Sequence, residues 1–401
     1  MNRFYTRMSF VLILGTVSLS LRAFSFFSGF SNGVAYDPFN AVVGIGEQQF
    51  FNEYGFSEAG KEFLKQKLQG QQGKFYLKQV ERFDSKLLLL WKERELLIVD
   101  PVRVKFSIIE GGENPSGTSF QKYLDVTALQ ALPENNGAVF QVASNLSCLE
   151  STGTKQERIS RYYLSRAQGQ LCALSALPGT IDRMYVQPSI NLLTHFDCQG
   201  PITYVSGKFP RVPNFEARFK DMSYDDICHA AETMCVGVQK NVGVTSGLRN
   251  FAKGEFSAVP VQQANQRITQ VFTAALDPYN NDSETSSFEN LARTLLHGAY
   301  KGTFDAAREV GAKKLFLTLV GGGVFQNKYH WIAEAIRAAC FDFPENNSHE
   351  PLEVTLVLYH ISPSDKQEDD WKNAEGILKE LVSQTGGTWT RYTSSGAKKV
   401  L

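Results

Sequence analysis

The sequence lacks a charge bias. Forty-one Lys and Arg stand against forty-one Asp and Glu, so no bulk field draws the chain to nucleic acid or to an anionic membrane surface. Six cysteines, at 148, 172, 198, 228, 235 and 340, include no CxxC pair of the zinc-binding kind. The apolar surroundings of Cys148, Cys172, Cys235 and Cys340 mark most of them as small buried hydrophobes rather than a disulfide framework. Six histidines form no HxH or HxxxH pair, which leaves metal catalysis without support. Ser-His chemistry lacks a G-x-S-x-G elbow, no P-loop ending in Lys-Ser or Lys-Thr is present, and no GxGxxG opens a first βα turn. The N-terminal apolar stretch, Met8 to Leu21, is short of the roughly 20 residues that a membrane span needs.

What is present is an ordinary globular composition, 43% hydrophobic and 20% charged over 401 residues, enough for one large core or two medium ones. Arg3 and Arg7 before the Met8–Leu21 stretch, with Ser18 and Ser20 as small residues for cleavage, read as a secretory leader over residues 1–25. Export or secretion is the expectation, with anchoring by the same segment the alternative. Residues 34–130 are irregular and are expected to form an N-terminal subdomain with strands and a turn at GGENPSG.

Residues 135–395 are more regular. The pattern predicts strands at Ala138–Ala143, Arg183–Val186 and Met234–Thr245, and a helix from Gln170 that stops at Pro178-Gly179. It continues with helices over 261–276 and 288–310, the latter stopped by Gly311. A strand KLFLTLV, a helix HWIAEAIRAAC, a strand EVTLVLY and a closing helix from Asp369 to Val382 complete the series. Strands alternating with helices imply an α/β fold: a mixed, mainly parallel sheet covered on both faces, with its ligand site beyond the carboxyl ends of the strands.

Three segments carry candidate chemistry. In VGGGVFQN, Gly321, Gly322 and Gly323 end a buried strand and precede a helix, where bare backbone N–H groups can face an anion such as a diphosphate. The same glycines also suit a tight turn. In FQVASNLSCLE, Asn145 ends another buried strand and offers an amide for ribose hydroxyls, or simply makes a turn. Glu150, on the same rim, is either a general base or a solvated loop charge. In RAQGQLCALSALPG, Gln168 and Gly169 open an apolar helix, where a glycine admits a phosphate or ribose, or only a cap.

Taken in order, VFQVASN, AQGQLCALSALPGT and LFLTLVGGGVFQN resemble the macrodomain fold, and within it a divergent macrodomain-like group of MavL-type ADP-ribosylhydrolases. The resemblance covers roughly residues 135–384. It implies a three-layer α/β/α sandwich that binds ADP-ribose and removes it from a modified protein, with a non-catalytic ADP-ribose reader as the alternative. It also implies an effector-like role, a monomer, no cofactor, no metal and no nucleic-acid partner. By that resemblance Gly321 to Phe325, Val324 included, cradle the diphosphate, Phe325 packs on the distal ribose, and Asn145 holds its hydroxyls. Gln168 and Gly169 form the opposite wall, Asn327 binds the ligand at the end of the Gly loop, and Tyr359 stacks on adenine. The family's usual loop aspartate has no match, because Leu171 stands where it would fall. Residues 151–166 are an insertion, and Glu150 is the substitute catalytic acid.

Overall fold

A computed structural model describes residues 38–81, 103–111, 125–151, 157–164, 168–193, 203–205, 209–211, 234–249, 258–261, 265–276, 286–323, 325–343, 350–358, 367–392 and 398–400. The leader, the GGENPSG turn beyond Gly111, Val324 and Tyr359 lie outside them, as do the side chains of Gln168 and its neighbours at 163–167. Among the described residues no helix is long and apolar enough to cross a membrane.

Three short helices come first: α1 (Pro38–Val43), α2 (Glu47–Glu53) and α3 (Glu58–Leu68). Ser57 caps α3, its hydroxyl accepting from the Gly60 N–H at 3.2 Å. Strands β1 (Lys74–Gln79) and β2 (Val104–Gly111) follow, then α4 (Val126–Ala131) and β3 (Val139–Ala143). Helices α5 (Ile159–Leu164), α6 (Gln168–Ser175) and α7 (Leu177–Ile181) run into a single π turn, Asp182–Val186. Short pairs β4 (Thr203–Val205) with β5 (Phe209–Arg211), and β7 (Ser246–Arg249) with β8 (Ala258–Pro260), flank β6 (Cys235–Gly243). The rest is β9 (Arg267–Thr273), α8 (Ser286–Glu309), β10 (Lys314–Leu317), α9 (Tyr329–Phe341), β11 (Leu352–Leu358), α10 (Glu368–Gln384), β12 (Trp389–Tyr392) and β13 (Lys398–Val400).

Nine strands form one sheet in the order β1-β6-β9-β3-β10-β11-β2-β12-β13. From β9 to β12 every neighbouring pair is parallel, and β1, β6 and β13 join antiparallel at the edges. Successive side chains of a strand point to opposite faces, and both faces here are apolar. Val139, Leu315, Leu317, Val354 and Leu356 meet α8, α9 and α10 on one side. Phe140, Val142, Phe272, Phe316 and Val357 meet α4 and α6 on the other. The fold is therefore the mixed, mainly parallel three-layer α/β/α arrangement that the sequence pattern implied.

The structure differs from the sequence reading in four places. Residues 267–273, expected within a helix, are β9, because the Ile268, Val271 and Phe272 side chains fill the sheet core next to β3. Pro178-Gly179 does not end a helix but lies in the first turns of α7, where a missing N–H costs nothing. Arg183–Val186 is helical rather than extended. The region expected as an N-terminal subdomain contributes β1 and β2 to the common sheet, and from Pro38 on the chain forms one compact unit. Its helices pack Phe39, Phe50 and Leu64 against Leu149, Ile159, Tyr162, Met184 and Tyr185. The four described cysteines, Cys148, Cys172, Cys235 and Cys340, are buried, as expected.

Candidate active site

β3 and β10 are parallel neighbours, with Leu315 opposite Val139 and Phe316 opposite Phe140. Their carboxyl ends therefore open on the same edge of the sheet, and the segments that follow them face each other. Between them runs a narrow cleft lined by Val126, Ala143, Gly169, Cys172, Thr318 and Val357. Phe140 and Phe316 stack at its floor, ring centroids 4.5 Å apart.

The Gly loop that leaves β10 is held rigidly from behind. Asn327 is buried, and its side-chain amide donates to the carbonyls of Leu276 (2.9 Å) and Gly321 (3.3 Å). Its backbone N–H donates to the Gly321 carbonyl as well. Tyr300 accepts from the Val320 N–H and donates to the Thr318 carbonyl, and Gln141 accepts from the Thr318 N–H. Gly321 has φ +76°, and a Cβ there would stand 2.5 Å from the Ala275 Cβ and 2.6 Å from the Asn327 amide. Only glycine fits that position. Gly322 faces inward toward Ile332 and Tyr329 of α9, whereas Gly323 is exposed and a Cβ on it would meet nothing within 4 Å. Phe325 is half-buried. Within the described loop the Gly322 N–H donates to the Leu319 carbonyl and the Gln326 N–H to the Gly323 carbonyl. A glycine loop of this kind between a strand end and a helix start suits backbone N–H donation to an anion.

Across the cleft, Gly169 sits in the first turn of α6. A Cβ on it would lie 2.2 Å from the Ala143 carbonyl oxygen and 3.5 Å from Glu150 Cγ, so the helix start, the end of β3 and Glu150 are in mutual contact. Asn145 is half-buried, and its amide donates to the Ser151 carbonyl at 2.8 Å while its backbone closes the turn to Cys148 and Leu149. That amide nitrogen is thus engaged in shaping the loop that carries Glu150. Asn327 likewise acts behind the loop as a brace rather than at its exposed rim. Leu171 is buried apolar packing.

Glu150 is not a solvated loop charge. Its side chain is 2% exposed, and the Arg183 guanidinium, 0% exposed, lies 3.3 Å from Oε1. The Glu150 N–H donates to the Tyr162 hydroxyl, and Oε2 has no hydrogen-bond partner. Burial pushes the carboxyl up to about 7, against the opposing pull of Arg183. A carboxyl in that range can both accept and return a proton near neutrality. Burial also pushes the Cys172 and Cys148 thiols well above the ordinary range, so neither is a prepared nucleophile.

Of the residues that the sequence reading singled out, Asn145 and Glu150 follow β3 with Gly169 against its end, and Gly321–Gly323, Phe325 and Asn327 follow β10, its parallel neighbour. That reading missed Arg183, whose partners lie 33 and 56 residues away in the sequence, at Glu150 and Gln239. It also missed Gln141, which ties the β3 and β10 ends together. Among the described residues no cluster of His, Cys, Asp and Glu is arranged to hold a metal ion.

No protein-family model matches the sequence, and no curated protein does so significantly. Solved structures that the fold is similar to include a poly(ADP-ribose) glycohydrolase from Thermomonospora curvata bound to the inhibitor ADP-HPD, at 14% identity and a TM-score of 0.38. That match covers 79% of this chain and 87% of the other. A poly(ADP-ribose) glycohydrolase from Deinococcus radiodurans in complex with ADP-ribose is 15% identical, with a TM-score of 0.39, over 78% of this chain and 98% of the other.

Proposed function

We propose that the chain binds ADP-ribose at the β3–β10 edge and hydrolyses the bond that joins it to a modified protein. The observation that carries this reading is the braced Gly321–Phe325 loop that follows β10, next to a cleft whose β3 side carries Gly169 in contact with Glu150, a buried, near-neutral carboxyl. A diphosphate accepts from the loop without a cationic cluster, because backbone dipoles fixed in place cost no reorganisation on binding. Phe325 offers an apolar surface to the distal ribose, and Gly169, by letting α6 pack closely on the end of β3, lines the cleft beside Glu150.

For hydrolysis, Glu150 accepts a proton from the water whose oxygen bonds the anomeric carbon, and returns that proton to the departing protein group as the glycosidic bond breaks through an oxocarbenium-like transition state. Its Oε2 is the oxygen left over for that task. MavL-type specificity for an ADP-ribosylated protein, export through residues 1–25, and an effector role belong to the same reading and are supported by the sequence motifs alone.

The test uses Gly323, since its Cβ direction is open and a substitution there leaves the fold intact. ADP-ribose at ~100 times its dissociation constant should stabilise the wild type by roughly 2.7 kcal/mol. Gly323→Glu places a carboxylate at the cradle and should abolish that gain while keeping the ligand-free Tm. An equal gain in both proteins removes the loop from the binding site.

A further inference from the structure

We infer that Arg183 is the positioning residue of the proposed hydrolysis, gripping one oxygen of Glu150 and leaving the other directed to the reacting water. The inference rests on the hydrolase reading above and extends it to a residue outside the cleft.

Arg183 is the largest fully buried side chain among the described residues. Its Nε donates to the Cys148 carbonyl at 3.1 Å, Nη1 to Gln239 Oε1 at 3.4 Å, and Nη2 to Thr180 Oγ1 and Glu150 Oε1, both at 3.3 Å. The guanidinium carbon also lies 3.6 Å from the centre of the Phe272 ring. Five contacts from the Glu150 loop, α7, β6 and β9 therefore fix the guanidinium before any ligand arrives. Such a group holds a carboxylate in one orientation with little entropy left to lose.

The pairing is one-sided, and that separates positioning from mere bracing. A structural Arg–carboxylate pair is commonly a two-bond fork, with both oxygens satisfied. Here Oε2 is buried and unpartnered, a state that costs stability unless the oxygen has work to do. Arg183 also belongs to a π turn, an irregularity frequent at functional sites, and that turn brings it beneath the Glu150 loop. The other titratable groups facing Glu150 are Tyr162 from α5, Cys172 from α6 and Cys148 from its own loop. None of them is cationic. Among the charged groups Arg183 is the largest influence opposing the burial that raises the Glu150 carboxyl, with hydrogen bonds from Tyr162 and the Glu150 backbone acting the same way.

The experiment compares wild type, Arg183→Lys, Arg183→Met and Glu150→Gln as full chains, with a mono-ADP-ribosylated protein as substrate. Two readouts are followed against pH: the rate of ADP-ribose release, and the carboxyl stretch of 13C-labelled Glu150 by difference infrared against Glu150→Gln. Loss of the cation should move both midpoints up by about 1–3 pH units. Arg183→Lys should fall between, and guanidinium ion should partly restore Arg183→Met. ADP-ribose affinity should stay within about twofold, because Arg183 reaches no cleft wall. Where Arg183→Met does not fold, Arg183→Lys carries the comparison through the same two midpoints. A lower rate with both midpoints fixed overturns the positioning role and leaves the hydrolase reading standing. Absence of release by the wild type overturns the hydrolase reading itself.

Discussion

Gly169→Ala tests the geometry of the site with one carbon atom. The new Cβ would lie 2.2 Å from the Ala143 carbonyl oxygen, while real Cβ contacts stay beyond 3.0 Å. Either the first turn of α6 or the end of β3 must therefore yield by about 0.8 Å. β3 is hydrogen-bonded on both sides, to β9 and β10, so the helix start is the part that moves. Two effects compete. Alanine gains roughly 0.5–1 kcal/mol of helix propensity over glycine, while forcing a methyl group into packed structure costs about 1–3 kcal/mol. The steric cost wins, because the obstructing atom is backbone and cannot rotate away. Thermal unfolding should show a fall of about 2–4 °C for each net kcal/mol lost. Calorimetry with ADP-ribose should show affinity falling about tenfold or more, given that a 1 Å misplacement near a reacting centre costs on the order of a hundredfold. A variant with the Tm and ADP-ribose affinity of the wild type would refute the contact of α6 with β3 as a determinant of the site.

Other substitutions probe the remaining parts. Gly321→Ala should destabilise by at least about 1 kcal/mol, through its positive φ and the Ala275 contact, and Gly323→Ala should leave the Tm of the wild type within about a degree. Asn327→Ala removes both donors that brace the loop and should cost about 1–3 kcal/mol in denaturant unfolding. Asn327→Asp should cost more, since it sets a carboxylate against two carbonyls. Glu150 binds a proton more tightly in the folded chain than its ordinary value of 4.5 allows in the unfolded one. The unfolded chain then holds fewer protons between about pH 4.5 and 7, so this group's contribution to stability falls as pH rises through that window. Glu150→Gln should remove that slope in pH-dependent unfolding, keep ADP-ribose binding and lose turnover.

Much of the scaffold was legible because its signals are local. The apolar runs of β3, β10 and β11 and the periodic faces of α8, α9 and α10 announce themselves within a dozen residues, and Gly311, at φ +67°, closes α8 as its place after the periodic stretch implied. β9 was not legible as a strand, because Gln266 and Gln270 interrupt the apolar pattern. Both are buried and spend their amides on Gln130, Leu132 and Cys172, partners far off in the sequence. The run Ile268 to Phe272, rich in β-branched and aromatic residues, was the available clue. The site followed the same division. Gly321 could be read from its neighbours, but the roles of Asn145 and Asn327 as braces depend on the Ser151 and Leu276 carbonyls that folding brings to them. Arg183 in DRMYV carries no local mark of its burial.

The place of β2 in the sheet has a consequence for how the chain reaches its native state. Residues 104–111 leave the ribosome early, yet both their partners, β11 at 352–358 and β12 at 389–392, belong to the last fifty residues. Until those emerge, β2 presents two unpaired edges and the Val104, Phe106 and Ile108 side chains to solvent or to a neighbouring chain. At a synthesis rate of about 5–20 residues per second, that exposure lasts on the order of tens of seconds. Chains cut short of Leu352 should therefore be held by chaperones or aggregate, even though the Gly loop and the Glu150 segment have both been made. Completion of the C-terminal strands acts as the checkpoint at which the sheet closes and the site becomes permanent.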